Sequence, residues 1–213
     1  MALRRWRNGR VDNFPRSDDN RTMSWIQTFT GRQFYPLTPR PADVDIRDIA
    51  HALAFKCRFC GHARVFYSIA EHSVRVSHVV PETLALAGLL HDAAEAYLAD
   101  VSRPVKHALW VRTGSGSDES FDALEARVLV AICAGLGVPP VDYVLVAPAD
   151  NILLATELRD LMAPPPEPWN LGAAALADRI VPLTAAAAEA AFLQRYTELR
   201  ACLRRGPKSE PRP

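Results

Sequence analysis

Residues 84–100 read LALAGLLHDAAEAYLAD. The stretch sets His91 and Asp92 side by side inside a run of leucine and alanine, and no Lys or Arg occurs between Arg75 and Arg103. Its nearly all-round apolar character predicts a helix over 82–99 at the centre of the domain, with Pro81 placed to open it. An unpaired carboxylate in such surroundings is costly. A salt bridge, a hydrogen-bonded network or a cation would remove the cost, and the segment itself carries no basic partner.

Working outward, the same anomaly recurs twice. The run YVLVAPADNILLATELRDLM (143–162) places Asp150 in a second apolar stretch, and SIAEHSVRVSHVV (68–80) places His72 in the second turn of a helix. Ser68 and Glu71 fit a capping box that opens that helix. Three predicted helices therefore offer nitrogen or oxygen donors toward a common interior: His72, His91 with Asp92, and Asp150. Such an N2O2 set in a dry site is most simply met by one divalent metal ion. Two imidazoles and two carboxylates suit Zn, Mn, Co, Fe or, less well, Mg. Neighbouring helical residues point about 100° apart, so His91 and Asp92 share an ion only if it sits over the edge between them. Glu95 lies three residues beyond Asp92 and four beyond His91, on the same face. A carboxylate there could accept a proton from a water acidified by the metal.

Other polar residues read more plainly. Glu71 is the capping-box acid rather than a ligand. His78, six after His72, points to the surface. His51 and His107 read as structural or exposed, and His62 is undecided. Cys57 and Cys60 form a C-x-x-C, but no second ligand pair follows at zinc spacing, Gly61 rather than His follows Cys60, and no βαβ pattern surrounds them. They read as reduced thiols.

The chain has 213 residues, 49% of them hydrophobic, with 25 Lys+Arg against 24 Asp+Glu. That is enough for one cored domain and too balanced to argue for nucleic acid or an anionic membrane as partner. No apolar run reaches the roughly 18 residues of a membrane span, and the basic N-terminus lacks the apolar core of a secretory signal, so a cytoplasmic protein is expected. Residues 1–22 read as a disordered basic tail, with Met23 a second candidate start; nucleic-acid binding by this tail is the lesser reading. Residues 24–44 read as an extended or hairpin-like lead-in with strand propensity at Trp25–Phe29 and Gln33–Tyr35. Asp45 caps a helix carrying Ile46, Ile49 and Leu53. Pro104 suits a short helix, 113–120 a loop, 121–136 a helix stopped by glycine, and 141–162 another with Pro148 as a potential kink. A rigid Pro-rich connector (163–172) leads to an Ala-rich terminal helix, and 205–213 reads as a disordered tail. The expected fold class is all-α: a single helical domain over 23–204 with a short extended N-terminal lead-in.

His72, His91-Asp92 and Asp150, in that order, resemble the metal-ligand set of the HD-domain metal-dependent phosphohydrolases. AEHS (70–73), HDAAEAYLAD (91–100), SRPVK (102–106) and ADN (149–151) are similar to the small nucleotide-hydrolysing branch. That branch includes bacterial 5′-deoxynucleotidases and phage dATP triphosphohydrolases; TFTGRQFYPLTP (28–39) looks like the phage versions. The resemblance spans roughly residues 24–162. It implies an HD-domain bundle with His72, His91, Asp92 and Asp150 as metal ligands and Glu95 as the catalytic carboxylate. By the same resemblance Asp100 contacts the sugar, Lys106 contacts phosphate, and Arg58-Phe59 stands where the branch has an Arg-Trp pair. Phenylalanine keeps the stacking face and loses the indole donor. The implied activity is hydrolysis of a 2′-deoxynucleoside phosphate. A monophosphate would yield inorganic phosphate; a triphosphate, dATP first, would yield tripolyphosphate. Homo-oligomers are common in the family. Ala96 breaks the HDxxED pattern of alarmone hydrolases, and the GYP motif of the cyclic-di-GMP branch is absent. The rival reading is a non-catalytic metal- and nucleotide-binding regulatory module, which would not need Glu95.

Overall fold

A computed structural model describes residues 25–112 and 118–205. The tail expected over 1–22, residues 113–117, and the C-terminal tail beyond Arg205 lie outside the described residues. The chain is mostly helical.

The lead-in is a small hairpin. β1 (Ile26–Gln27) pairs antiparallel with β2 (Gln33–Phe34), Ile26 opposite Phe34. Gly31 turns the chain with φ +83°, a value that glycine adopts without strain. The hairpin is anchored by Phe34, whose ring stacks on Tyr97 at 3.6 Å between centroids, and by Asp48, which accepts from the backbone and hydroxyl of Thr30 at 2.6 and 3.0 Å.

Helix α1 (Ile46–Ala54) starts at Asp45, whose side chain accepts the Arg47 N–H. A loop leads to α2 (Ile69–Val79), opened by Ser68, whose hydroxyl accepts the Glu71 N–H at 3.1 Å. The reciprocal half of the expected capping box does not form. The Glu71 carboxylate instead accepts from Arg75 at 2.8 Å and from the Leu183 N–H at 2.8 Å, in the irregular segment just ahead of the terminal helix.

The helix expected over 82–99 is interrupted. A 3-10 turn at Glu82–Leu84 leads into α3 (Ala85–Leu90), and α4 (Glu95–Leu98) follows only after a run of turns. Ala93 N–H bonds to the Leu90 carbonyl and Glu95 N–H to that of Asp92, at 3.0 Å each. These i→i−3 bonds wind the chain tighter than an α-helix. Nor is this segment the hub of the domain. That place belongs to α2, which packs against α1, α3, α7 and α8. Gly88 allows the approach: a Cβ there would stand 3.1 Å from the Ser77 Cα and 3.0 Å from Val80 Cγ2.

After α5 (Arg103–Lys106), a second hairpin pairs β3 (Trp110–Arg112) with β4 (Asp118–Ser120), where only a loop was expected. Helix α6 (Phe121–Leu136) has the expected bounds, with Ser120 as its cap and Gly137 left-handed at its end. α7 (Tyr143–Leu161) runs through Pro148. The connector that follows is fastened to α7: the Thr156 hydroxyl accepts the Leu176 N–H, and Asp160 accepts the Ile180 N–H, each at 2.9 Å. Helix α8 (Ala185–Arg205) closes the bundle against α1, α2 and α3, with Phe192 fully buried. No helix of the described residues is long and apolar enough to cross a membrane.

Candidate metal centre

Three elements deliver the polar residues to one place. Ser68 fixes the start of α2 and so puts His72 one turn in, fully buried. The tightened turn after α3 carries His91 and Asp92, and α7 carries Asp150, 8% exposed. Donor atoms of His72, His91 and Asp150 all lie within 4.8 Å of one another. His72 Nε2 is 3.3 Å from His91 Nε2 and 3.2 Å from Asp150 Oδ1. Asp92 joins them through Oδ2, 3.2 Å from His91 Nε2 and 3.7 Å from His72 Nε2.

The outer contacts fix which ring nitrogen faces inward. His91 Nδ1 meets the Gly88 carbonyl at 2.8 Å, and a carbonyl only accepts, so Nδ1 carries the proton. His72 Nδ1 meets Glu157 Oε1 at 2.6 Å, which assigns its proton in the same way. Both Nε2 atoms therefore turn electron pairs toward the two carboxylates. Four acceptors facing one another inside a protein need a cation, either a proton or a metal. Two nitrogens and carboxylate oxygen fit a first-row divalent ion. His72, His91 and Asp150 could hold one such ion.

Electrostatics express the same balance. Burial and the Arg58 guanidinium push the His72 pKa down, but Glu157 and Asp150 outweigh them and hold it at about 9. Burial pushes Asp92 and Asp150 up, yet the two imidazoles and Arg58 keep both far below the usual carboxylate range. The Tyr143 hydroxyl donates to Asp150 Oδ2 at 2.7 Å.

The remaining residues singled out from sequence surround this cage. Arg58, in the α1–α2 loop, lies 3.3 Å from Asp92 Oδ2 through Nη1 and 3.4 Å from Glu157 Oε2 through Nη2. Glu95 is buried, and its Oε2 has no hydrogen-bond partner. Burial, then Asp92 and Asp100, raise its pKa well above the usual range. Lys106 Nζ stands 3.9 Å from Glu95 Oε1 and 2.8 Å from Glu125 Oε2. Asp100 is half-buried, and burial raises its pKa against the pull of Arg58. Phe59 and Cys60 have φ of +58° and +51°, and Ala99 has +80°. Ala99, with ψ 158°, sits in a region kept almost wholly for glycine. Strain thus gathers in the two loops that carry Phe59 and Asp100. His62, His78 and His107 are exposed and outside the cage. His51 is structural, stacked on Phe29 at 3.8 Å and bonded to Glu189 at 3.0 Å. Cys57, Cys60 and Cys133 are free thiols.

Sequence reasoning missed Tyr143 and Glu157, and the signal was there. They lie seven residues before and seven after Asp150, two helical turns each way, on one face of α7. It also missed Glu125 and Lys56, whose ammonium donates to the carbonyls of Glu95 and Ala96; neither stands out in its own segment.

No family model matches the chain. It is 37% identical over 186 residues to the uncharacterised protein YfdR of Escherichia coli (strain K12), an alignment covering 84% of this chain and 99% of YfdR. It is 40% identical over 114 residues to an uncharacterised protein of Rhodobacter capsulatus, covering 49% of this chain and 56% of that one. With nearly all of YfdR aligned at that identity, the chain belongs to the same family as YfdR.

Proposed function

We propose that this chain is an HD-type, divalent-metal-dependent phosphohydrolase acting on a 2′-deoxynucleoside phosphate, a monophosphate or a triphosphate such as dATP. The observation that carries the reading is the meeting of His72, His91, Asp92 and Asp150 acceptors at one buried point, with a partnerless carboxylate oxygen of Glu95 beside it. His72, His91 and Asp150 would hold the ion, with Asp92 as the fourth ligand. A divalent ion there supplies Lewis-acid polarisation of a phosphoryl oxygen and acidifies a water.

The chain's own groups do the rest. Arg58 offers a planar fork suited to phosphate oxygens, and Lys106 offers a point charge. Both are held by carboxylates, Arg58 by Asp92 and Glu157 and Lys106 by Glu125, so a phosphate would meet them already aimed. Glu95 Oε2 is the atom placed to take up a proton. Burial, Asp92 and Asp100 together raise its pKa well above the usual range, against Arg58 and Lys106, which favour the charged form, so the carboxylate is freed to accept a proton when a cation is bound beside it. The Phe59 ring offers a stacking face for a base, and Asp100 an acceptor for a sugar hydroxyl. A product assay over deoxynucleoside mono- and triphosphates with Mg²⁺, Mn²⁺, Co²⁺ and Zn²⁺ tests this. Release of phosphate or of tripolyphosphate is expected; no hydrolysis of either class with any of the four ions contradicts it.

A further inference from the structure

Glu157 is fully buried, like His72, and lies two turns along α7 from Asp150, in reach of two functional residues at once. Its Oε1 takes the Nδ1 proton of His72 at 2.6 Å. Its Oε2 lies 3.4 Å from Arg58 Nη2. A buried carboxylate in an apolar helix is costly unless it is paired, and Leu153, Leu154 and Leu161 around it on α7 are all buried. Packing alone would favour another leucine there.

We propose that Glu157 is a positioning residue that joins the metal ligand His72 to the guanidinium of Arg58, fixing the tautomer of the first and the aim of the second. The proposal rests on the metal-dependent reading above. Through Oε1, Glu157 keeps the proton on His72 Nδ1, so that Nε2 presents its electron pair to the ion. A hydrogen bond from the far side of a ligating imidazole typically changes metal affinity by about 10–100-fold. Through Oε2, it counterbalances Asp92, which pulls the same guanidinium from the ion's side at 3.3 Å. Arg58 is thereby held between two carboxylates instead of collapsing onto one of them, and part of its fork stays open to an incoming oxyanion. Arg58 Nε and Glu157 Oε2 are both buried without a hydrogen-bond partner, so the 3.4 Å contact between the two side chains acts as an ion pair. One side chain therefore ties together the two halves of the site.

The test separates the two contacts. Mn²⁺ alone is titrated by calorimetry into wild type, Glu157→Gln and Glu157→Ala. The amide oxygen of Gln still accepts from Nδ1, so E157Q is expected to lose less than about tenfold in Mn²⁺ affinity, and E157A about 10–100-fold. Nitrogen NMR of the histidine rings in the Zn²⁺-loaded protein should show the His72 Nδ1 proton protected from exchange with solvent in wild type and E157Q, and its signal lost to exchange in E157A. Inorganic phosphate is then titrated into the Mn²⁺-loaded R58Q, E157Q and R58Q/E157Q variants. The double variant should bind phosphate no more weakly than R58Q alone, since both changes disable one arrangement. Mn²⁺ affinity within twofold of wild type in a folded E157A, or in E157Q with its Nδ1 signal lost, overturns the His72 link. Additive losses of phosphate affinity overturn the Arg58 link. A wild type that binds no Mn²⁺ overturns the metal-dependent reading and this inference with it, whereas wild-type binding with unchanged variants overturns this inference alone.

Discussion

The two sides of the site are built differently. His72, Asp150, Glu157 and Tyr143 stand on α2 and α7, regular helices of 11 and 19 residues. His91, Asp92, Asp100, Arg58 and Phe59 stand on short turns and loops and Glu95 on the single-turn α4, and the three non-glycine residues with positive φ among the described residues, Phe59, Cys60 and Ala99, lie in the same region. The helical side fixes donors that must meet within tenths of an ångström, which rigid elements do best. The loop side holds groups that would meet a substrate, and there backbone strain is tolerated because surrounding contacts over-determine it. Arg58 and Glu157 bridge the two.

Several changes would break or sharpen that contrast. On the helical side, Asp150→Ala removes an acceptor from the shared point and should abolish metal binding and turnover together, by more than about 100-fold; metal content and rate measured on the same sample check it. On the loop side, Glu95→Ala should spare metal and lower the rate by about 10²–10⁴-fold. An E95A variant with full activity would remove Glu95 from the chemistry.

The pH response belongs to the helical side. The His72 value of about 9 exceeds the ordinary 6.5, so its proton stabilises the metal-free fold fully below pH 6.5, and this contribution is lost as pH rises through about 9. A metal must displace that proton. Its affinity should therefore rise by about tenfold per pH unit over this window for one proton released. Calorimetry at three pH values checks the slope, and a flat profile would mean that His72 is already neutral.

Backbone changes give the smallest effects and the clearest opposition of sign. Gly88→Ala would press a methyl against the Ser77 backbone of α2 and should cost about 1–3 kcal/mol. Ala99→Gly should instead stabilise by about 1 kcal/mol, because relief of the strained φ exceeds the added freedom of the unfolded chain. Denaturant melts of both variants measure the pair.

Much of this was legible in the residues. A carboxylate or imidazole in an apolar run is anomalous wherever it falls, so His72, His91, Asp92 and Asp150 stood out singly, and their meeting followed from the cost of leaving them unpaired. Caps at Asp45, Ser68 and Ser120 are local chemistry and were equally readable. The broken helix at 91–94 was not, because i→i−3 and i→i−4 winding leave nearly the same apolar pattern over four residues. Glu71 looked like a cap because its partner Leu183 lies 112 residues away. The β3–β4 hairpin is only three residues a side, two of the six, Trp110 and Val111, being strand-favouring, and it packs against α6, a tertiary contact no local pattern announces. Glu157 was readable and unread: an acid seven residues beyond Asp150 is as anomalous as Asp150 itself.

The most direct measurement is anomalous diffraction at the zinc edge from crystals grown with Zn²⁺. One peak per chain is expected, about 2.0–2.2 Å from His72 Nε2, His91 Nε2 and carboxylate oxygens of Asp92 and Asp150. A peak bound by other residues, or none in this cage at full zinc occupancy elsewhere, would contradict the account.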